Sequence, residues 1–121
     1  MIRGVGLDLC EIARMEKLLE DDRFLNRFFT EEEIGYIRSR GRGAAQTMAG
    51  IYAAKEALGK ALGTGIAFEL KDVGVCRDEA GRPGYALAGK AAELAGGDHF
   101  FLSISHEAGT AAAVCVREAA E

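Results

Sequence analysis

The stretch from residue 50 to residue 65, Gly50-Ile-Tyr-Ala-Ala-Lys-Glu-Ala-Leu-Gly-Lys-Ala-Leu-Gly-Thr-Gly65, predicts one amphipathic helix around which the chain is organised. Its apolar residues recur at spacings of three and four and share one face: Ile51, Ala54, Leu58, Ala61 and Leu62. Glu56 and Lys60 lie one turn apart on the opposite side, beside Gly59 and Gly63. A glycine inside a helix costs about 1 kcal/mol relative to alanine. These glycines therefore indicate close approach by a ligand or another backbone, although Glu56 and Lys60 alone also fit an ordinary surface ion pair.

The composition is that of a single globular domain, residues 1–121, in which 49% of the residues are apolar. A formal net charge of −4 argues against general binding to nucleic acid or to an anionic membrane, because both need a basic surface. No signal peptide or membrane-spanning stretch is visible. Three cysteines, far apart in sequence, fit neither a disulfide framework nor zinc-ligand spacing and are expected to be buried and reduced: Cys10, Cys76 and Cys115. We therefore expect a cytoplasmic protein.

A carboxylate stands at the end of the first predicted strand, residues 2–9. Asp8 needs a donor or a cation nearby, because an unpaired buried charge is costly. Asp8 followed by Glu11 fits a capping box for a helix from about residue 9 or 10 to residue 20. Asp8 also fits a ligand for a hard cation, and the two roles are compatible.

Arginines and phenylalanines cluster in the first predicted helix and in the short helical segment that follows it, residues 23–29. Arg23 and Arg27 are four residues apart, and Phe24 and Phe28 form a neighbouring pair at the same spacing. Together with Arg14 they predict a basic, partly aromatic docking surface on an otherwise acidic protein. The alternative is a set of solvated arginines beside a core aromatic pair.

The remaining pattern predicts an α+β fold with an antiparallel sheet packed against the long helix. Thr30 is expected to cap a helix that ends near Ser39, and the basic loop 38–43 either is solvated or reaches a phosphate. The long helix is expected to begin near Ala44 and to stop at Thr64-Gly65. The later elements are a strand at 72–77, a turn at 78–84, a strand at 85–87, a helix at 90–95, and strands at 99–105 and 111–116 joined by a turn that begins at His106.

Polar residues at three separate places fit one common chemistry. Asp8, the pair Glu56 and Lys60, and the segment 103–106 each place polar groups at the end of a strand or on one side of a helix. Two carboxylates suit Mg²⁺, which takes few protein ligands and completes its shell with waters and substrate phosphates. A lysine one turn away suits the same phosphates. The pattern favours a phosphate-transferring or phosphate-cleaving site, and the absence of a Gly-x-x-x-x-Gly-Lys-Ser/Thr sequence excludes a P-loop nucleotidase.

These pieces resemble the holo-acyl-carrier-protein synthases, the small class of 4′-phosphopantetheinyl transferases. The resemblance runs from Met1 to the last strand and is carried by three blocks: Gly6-Leu7-Asp8 with Arg14 downstream, Ala53-Ala54-Lys55-Glu56-Ala57 with Lys60-Ala61 and Gly63-Thr64-Gly65, and Ser103-Ile104-Ser105-His106 with Ala111-Ala112-Ala113. The second block is the most specific of the three.

The resemblance implies that coenzyme A and an apo acyl carrier protein react to give holo acyl carrier protein and adenosine 3′,5′-bisphosphate, a step of fatty acid and lipid biosynthesis. It implies that Asp8 and Glu56 hold Mg²⁺ on the pyrophosphate and that Lys60 contacts the phosphates. Glu56 would assist deprotonation of the carrier's serine. His106 would contact the phosphate end of the coenzyme, and Arg82 and Pro83 would lie against its adenosine part.

The family is typically a homotrimer with sites between subunits, which suits a chain too small to bury a large core alone. The resemblance implies that an acidic carrier docks on four residues: Arg14, Arg23, Phe24 and Arg27. One departure is Ile51, which stands where many relatives carry a phosphate-contacting arginine; either a cation from residues 38–42 substitutes or the contact is absent. Lys55 lies near the apolar side of the helix and is interpreted as a buried, paired lysine without a catalytic role.

Two other functions fit the same residues less well. A trimeric coenzyme A- or nucleotide-binding module without turnover would have no need of a metal-holding carboxylate pair. A metal-dependent phosphohydrolase would break down coenzyme A without a carrier.

Overall fold

The computed structural model describes residues 1–120, which form a three-stranded antiparallel sheet, a separate two-stranded hairpin and five α-helices. The strands are β1 (Ile2–Glu11), β2 (Val73–Arg77), β3 (Pro83–Leu87), β4 (His99–Glu107) and β5 (Thr110–Glu118). The helices are α1 (Ile12–Glu16), α2 (Asp22–Phe28), α3 (Glu31–Arg38), α4 (Ala44–Leu62) and α5 (Gly89–Ala95). Short 3₁₀ turns lie at Gly41–Gly43 and Leu70–Asp72.

Helix α4 is the centre of the core, as the apolar spacing predicts. It has 19 residues, most of them buried, and it begins at Ala44. Gly63, in the left-handed conformation with φ of 80°, ends the helix, so the stop comes one residue before the predicted Thr64-Gly65. Gly59 faces the backbone of the loop that follows α4, because a Cβ at this position would crowd the carbonyl oxygen of Gly65. The close approach inferred from Gly59 is therefore made by the following loop.

Strand β1 lies directly against α4 because its inward positions carry almost no side chain. A Cβ at Gly6 would overlap the carbonyl oxygen of Ala57, and one at Gly4 would overlap that of Ala61. A strand and a helix can approach this closely only where glycine faces the helix backbone. This packing carries Asp8, two residues beyond Gly6, to the C-terminal half of α4.

The prediction that Asp8 caps the first helix is wrong. Strand β1 continues to Glu11, and Asp8 pairs with Ala113 of β5 inside the ladder. Helix α1 covers only five residues, shorter than predicted at both ends, and its N-cap is Glu11, which makes no side-chain capping bond. The end of β1 is set by pairing with Thr110, a partner about 100 residues away that local spacing does not reveal. Asp8 is therefore free of a capping role.

The three-stranded sheet, in the order β1-β5-β4, has two faces of different character. The inward face packs on α4, and Asp8 and Cys10 belong to it. The outward face of β1 is apolar and exposed: Val5 is 60% exposed, Leu7 57% and Leu9 64%. Opposite these three residues in the ladder stand Val116, Val114 and Ala112 of β5, and Phe101 of β4 continues the row. We call this set of seven residues the outer sheet face.

The hairpin β2–β3 is joined to α4 by buried polar contacts. The Tyr85 hydroxyl donates to the Ala54 carbonyl at 2.6 Å. Lys55 is fully buried, and its Nζ lies 2.8 Å from Glu33 Oε1 and donates to the carbonyls of Leu70 at 2.9 Å and Val73 at 2.7 Å. The interpretation of Lys55 as a buried, paired lysine is confirmed.

Other expectations are confirmed in part. Thr30 and Glu33 form a capping box at the start of α3. Cys10 and Cys115 are buried, but Cys76 is exposed on the hairpin, contrary to the prediction. Across residues 1–120, the structure contains no helix both long and apolar enough to cross a membrane.

Candidate active site

Two elements remote in sequence bring Asp8, Glu56 and Lys60 together. Lys60 Nζ donates to the Leu7 carbonyl at 2.8 Å and lies 3.2 Å from Asp8 Oδ1. The alternative surface ion pair between Glu56 and Lys60 is not formed among the described residues, where the partner of Lys60 is Asp8. The close packing of β1 on α4 therefore brings together the three residues that the sequence analysis assigns to one site.

The two carboxylates are close enough to affect each other. Burial, followed by the hydrogen-bonding and charge influence of Asp8, raises the pKa of the Glu56 carboxyl, whereas Arg14 and the Tyr52 side chain act in the opposite direction. Asp8 Oδ2 is buried, and within residues 1–120 no backbone or side-chain donor group supplies it with a hydrogen bond. A buried carboxylate oxygen without a partner is unfavourable unless a donor or a cation completes it.

The chemistry of the cluster restricts the ion that it could hold. Among residues 1–120, no group of three or more His, Cys, Asp or Glu side chains is arranged to hold a metal. A site that supplies only Asp8 and Glu56 suits a hard cation that keeps several water ligands or takes phosphate oxygens, and it does not suit Zn²⁺, which needs three or four protein ligands. The unpartnered oxygen of Asp8 and its proximity to Glu56 fit such a cation.

The predicted docking residues lie together on α1 and α2. Arg23, Phe24, Arg27 and Phe28, with Asp21, line a depression of about 300 Å³. The two phenylalanine rings meet edge to face, with centroids 4.8 Å apart. The arginines are exposed while both phenylalanines are half-buried against the core, so exposed cations and a core aromatic pair occur side by side at this place.

Arg14, on α1, is connected to these residues through Tyr52 of α4. Its guanidinium carbon lies 5.2 Å from the centroid of the Tyr52 ring, and that ring centroid lies 6.0 Å from the centroid of the Phe24 ring. This stacking places a cation close to the aromatic residues of the depression.

The predicted coenzyme-binding residues are separate from the carboxylates within one chain. His106 belongs to β4, not to the turn, which is made by Ala108 and Gly109, and its Nε2 lies 2.9 Å from Gln46 Nε2. Glu56 lies ten positions beyond Gln46 on α4, which corresponds to about 15 Å along the helix axis. Arg82 pairs with Asp78 at 3.3 Å in the β2–β3 turn, and Pro83 begins β3.

The sequence analysis missed residues in a second cavity, of about 290 Å³, around His106. The polar residues that line it are Tyr36, Arg40, Gln46, Thr47, Arg77 and His106. Arg77 and Gln46 were not singled out, although Arg77 ends a strand immediately before the turn that carries Arg82. The cavity lining contains cations and no carboxylate, so it is suited to an anion.

Known proteins of similar sequence are phosphopantetheinyl transferases. Residues 4–115 match the sequence model of the 4′-phosphopantetheinyl transferase superfamily. A holo-(acyl-carrier-protein) synthase of Treponema denticola is 49% identical over 122 residues, which cover 98% of this chain and 99% of the relative.

Solved structures share the fold. The crystal structure of the holo-(acyl-carrier-protein) synthase of Neisseria meningitidis matches with a TM-score of 0.85 and 32% identity over 98% of this chain and 100% of that one. The Bacillus anthracis enzyme, crystallised with CoA (3′,5′-ADP), matches with a TM-score of 0.83 and 36% identity over 99% of both chains. The α+β class, with an antiparallel sheet packed against a long helix, is therefore confirmed. The chain is a phosphopantetheinyl transferase and belongs to the holo-(acyl-carrier-protein) synthase family.

Proposed function

We propose that this chain transfers the 4′-phosphopantetheine group of coenzyme A to a serine of an apo acyl carrier protein, a step in the supply of carriers for fatty acid and lipid biosynthesis. The serine oxygen bonds to the β-phosphorus, the bond from that phosphorus to the bridging oxygen breaks, and adenosine 3′,5′-bisphosphate leaves with the electron pair. The observation that carries the proposal is the cluster of Asp8, Glu56 and Lys60 between β1 and α4.

Asp8 and Glu56 are the residues that would hold Mg²⁺. The buried, unpartnered oxygen of Asp8 and the proximity of the two carboxylates support this assignment. Bound there, the cation would neutralise charge that develops on the pyrophosphate oxygens. No third protein ligand is needed, because waters and phosphate oxygens complete the shell of Mg²⁺.

Lys60 and Glu56 have distinct roles in the proposal. Lys60 is more than half exposed and already anchored on the Leu7 carbonyl, so its ammonium group is available to a substrate phosphate as a fixed point charge. Glu56 is the group that would accept the serine proton, directly or through a water.

Coenzyme A would extend toward the cavity around His106 and the turn that carries Arg82 and Pro83. Ile51, which replaces the family's arginine, is buried, so its side chain offers no contact to phosphate. Arg40 and Arg77 line the His106 cavity and are the cations that would substitute. Arg40 comes from the 38–42 segment that the sequence analysis considers for this role.

A homotrimer would account for the separation of these parts. The outer sheet face is a continuous apolar surface that a single chain leaves exposed. Burial of such a surface against a second copy is favourable at roughly 25 cal/mol per Å². In one chain, Gln46, the partner of His106, lies about 15 Å from Glu56 along α4. A site built between subunits would bring His106 of one copy close to the carboxylates of another copy.

The carrier would dock on the surface formed by Arg14, Arg23, Phe24 and Arg27. This local basic patch on a chain with net charge −4 fits a strongly acidic partner by charge complementarity. The patch is continuous, through Arg14 and Tyr52, with the carboxylate cluster where the serine must react.

The test is to incubate the protein with apo acyl carrier protein, coenzyme A and Mg²⁺ and to follow the mass of the carrier. We expect the carrier to gain one phosphopantetheine group and the gain to stop when a chelator removes Mg²⁺. No gain, with coenzyme A binding retained, would favour a binding module. Breakdown of coenzyme A without modification of the carrier would favour a phosphohydrolase.

A further inference from the structure

Helix α4 and strand β4 meet at a hydrogen bond between two side chains of the His106 cavity. Gln46 Nε2 lies 2.9 Å from His106 Nε2, although the two residues are 60 positions apart in the sequence. One turn beyond Gln46 on α4, a Cβ at Gly50 would crowd the side chain of Ile104, which lies two residues before His106. The missing side chain at position 50 therefore allows β4 to lie close enough to α4 for this contact.

The two atoms that meet determine where the proton of the His106 ring lies. A hydrogen bond between two nitrogen atoms needs one donor and one acceptor. The amide nitrogen of glutamine only donates, and an imidazole nitrogen accepts only when it carries no proton. In this arrangement Nε2 of His106 is the acceptor, so the neutral ring carries its proton on Nδ1. The one N–H that the ring offers to another molecule is therefore Nδ1–H.

The orientation of His106 depends on this contact more than on packing. His106 is exposed, and β4 is an edge strand of the three-stranded sheet. Within residues 1–120, Gln46 is the hydrogen-bond partner of the His106 side chain. Gln46 itself is half-buried on α4, so its position is better defined than that of the ring.

The other cations of the cavity are also held in place by the chain. Arg77 Nη1 donates to the Gly81 carbonyl at 3.0 Å, and the guanidinium carbon of Arg40 lies 5.3 Å from the centroid of the Tyr36 ring. These two arginines supply the positive charge of the cavity. A neutral histidine beside them contributes a directed N–H donor, which a phosphate oxygen accepts, whereas its lone pair would repel the same oxygen.

We propose that Gln46 is a positioning residue for coenzyme binding: its amide holds the His106 ring as the Nδ1–H tautomer, so that an N–H and not a lone pair meets the phosphate oxygens of the coenzyme. This inference rests on the proposed transferase function. Gln46 acts through His106. A glutamate at this position would have the opposite effect, because a carboxylate only accepts and would require the proton on Nε2.

The tautomer is measured by ¹⁵N NMR of the imidazole rings in the ligand-free protein at about pH 8, above the ordinary titration range of histidine. The chain has two histidines, so the exposed His99 is an internal reference that should not change. We expect an unprotonated Nε2 in His106 of the wild type, a protonated Nε2 in Gln46→Glu, and a mixture of tautomers in Gln46→Met. Thr47→Val, which removes another polar group of the cavity, should leave the tautomer unchanged.

Steady-state kinetics with saturating carrier and Mg²⁺ test the coenzyme role. Gln46→Met, which keeps the side-chain length and a good helix former, should raise KM for coenzyme A about fivefold, the loss of one hydrogen bond, with kcat within about twofold of the wild type. Circular dichroism checks that the variant is folded.

A protonated Nε2 in the wild type, or the wild-type tautomer in Gln46→Glu, would overturn the proposed bond. An unchanged KM for coenzyme A in Gln46→Met, or a loss confined to kcat, would overturn the coenzyme role. Absence of transfer by the wild-type protein would refute the proposed function and the coenzyme role with it, whereas the NMR measurement would still decide the bond between Gln46 and His106.

Discussion

The carboxylate of Glu56 occupies surroundings that disfavour its charge. Its pKa is raised by burial and by Asp8, so the folded chain binds a proton at Glu56 more tightly than the unfolded chain does. The ionised form therefore costs stability at pH values above the folded-state pKa. That cost starts to decrease as the pH falls through the folded-state pKa and is gone below the lower pKa of the unfolded chain. The residue proposed to accept the serine proton is thus one that the metal-free fold would be more stable without.

Glu56→Gln is expected to separate activity from stability. Turnover should fall by at least about a hundredfold, the loss expected when a general base is removed. In metal-free buffer at pH 8 the thermal midpoint should rise by a few degrees, because the charged carboxylate next to Asp8 is gone, and the rise should shrink at lower pH. Mg²⁺ should stabilise the wild type more than the variant. Scanning calorimetry with and without Mg²⁺ measures these effects, and unchanged turnover would remove Glu56 from the site.

At the scale of elements, one buried ion pair joins α3, α4 and the start of the hairpin. Lys55 satisfies Glu33 and two carbonyls, while Glu33 also accepts from the backbone N–H of Thr30 at 2.8 Å and of Val75 at 2.7 Å. Burial lowers the pKa of Lys55, and Glu33 opposes that change. The pair therefore holds the hairpin that carries Arg82 against the helix that carries Glu56.

Lys55→Met is expected to destabilise the fold by about 3–5 kcal/mol, because it leaves the Glu33 charge buried without its cation. Urea unfolding measures the change. Lys90→Met is the matched control: Lys90 pairs with Glu93 at 3.5 Å on the exposed surface of α5, so its loss should cost less than about 1 kcal/mol. Similar changes in the two variants would contradict the structural role of Lys55.

If the carrier docks on α1 and α2, a charge reversal there should weaken carrier binding and spare coenzyme A binding. Arg14→Glu should raise KM for the carrier at least about tenfold while coenzyme A binding changes little, because the new charge repels an acidic partner and the stack on Tyr52 is lost. Steady-state kinetics with each substrate varied provides the measurement. Lys90→Glu imposes the same charge change on α5 and should leave both KM values near those of the wild type. Equal effects of Arg14→Glu on both substrates would argue against docking.

The accuracy of the sequence analysis differed between elements for physical reasons. Helix α4 is predicted within about one residue because its signals, apolar spacing and a C-terminal glycine, are local. The end of β1 is mispredicted because Asp8 and Glu11 look like a local cap, whereas pairing with β5 determines their conformation. The proximity of Asp8 and Glu56 is expected from the chemistry of a shared cation site and from the family resemblance, because no local sequence signal links residues so far apart. The contact of Arg14 with Tyr52 escapes the sequence analysis because Arg14 reaches the ring only in the folded chain.

At the scale of the whole molecule, the chain has one well-packed core and one uncovered apolar surface. The small residues of β1 and α4 allow the sheet and helix to meet closely, while the outer sheet face remains open. Monomeric proteins seldom leave large contiguous apolar patches uncovered. Assembly and catalysis are therefore expected to depend on each other.

Leu7→Lys is expected to prevent formation of the proposed homotrimer, because it places a charge at the centre of the outer sheet face. Analytical ultracentrifugation should show the change in mass, and transferase activity should fall at least about tenfold if subunits share a site. Ile66→Lys is the control, since Ile66 is 51% exposed on the loop after α4 and is not one of the seven residues of the outer sheet face. A wild-type protein that sediments as a monomer would refute the trimer.

The alternation along β1 has a consequence for folding errors. Even-numbered residues, such as Gly6 and Asp8, point to α4, and odd-numbered ones, such as Leu7, point away from it. A slip of β1 by one position against β5 would exchange the two sets. The slip would place a leucine side chain where only glycine fits against α4. It would also place the Asp8 carboxylate on the apolar outer sheet face. A misaligned chain would thus lose the proposed ion-binding pair and the apolar outer sheet face in the same event, so partly active misfolded forms are not expected to accumulate.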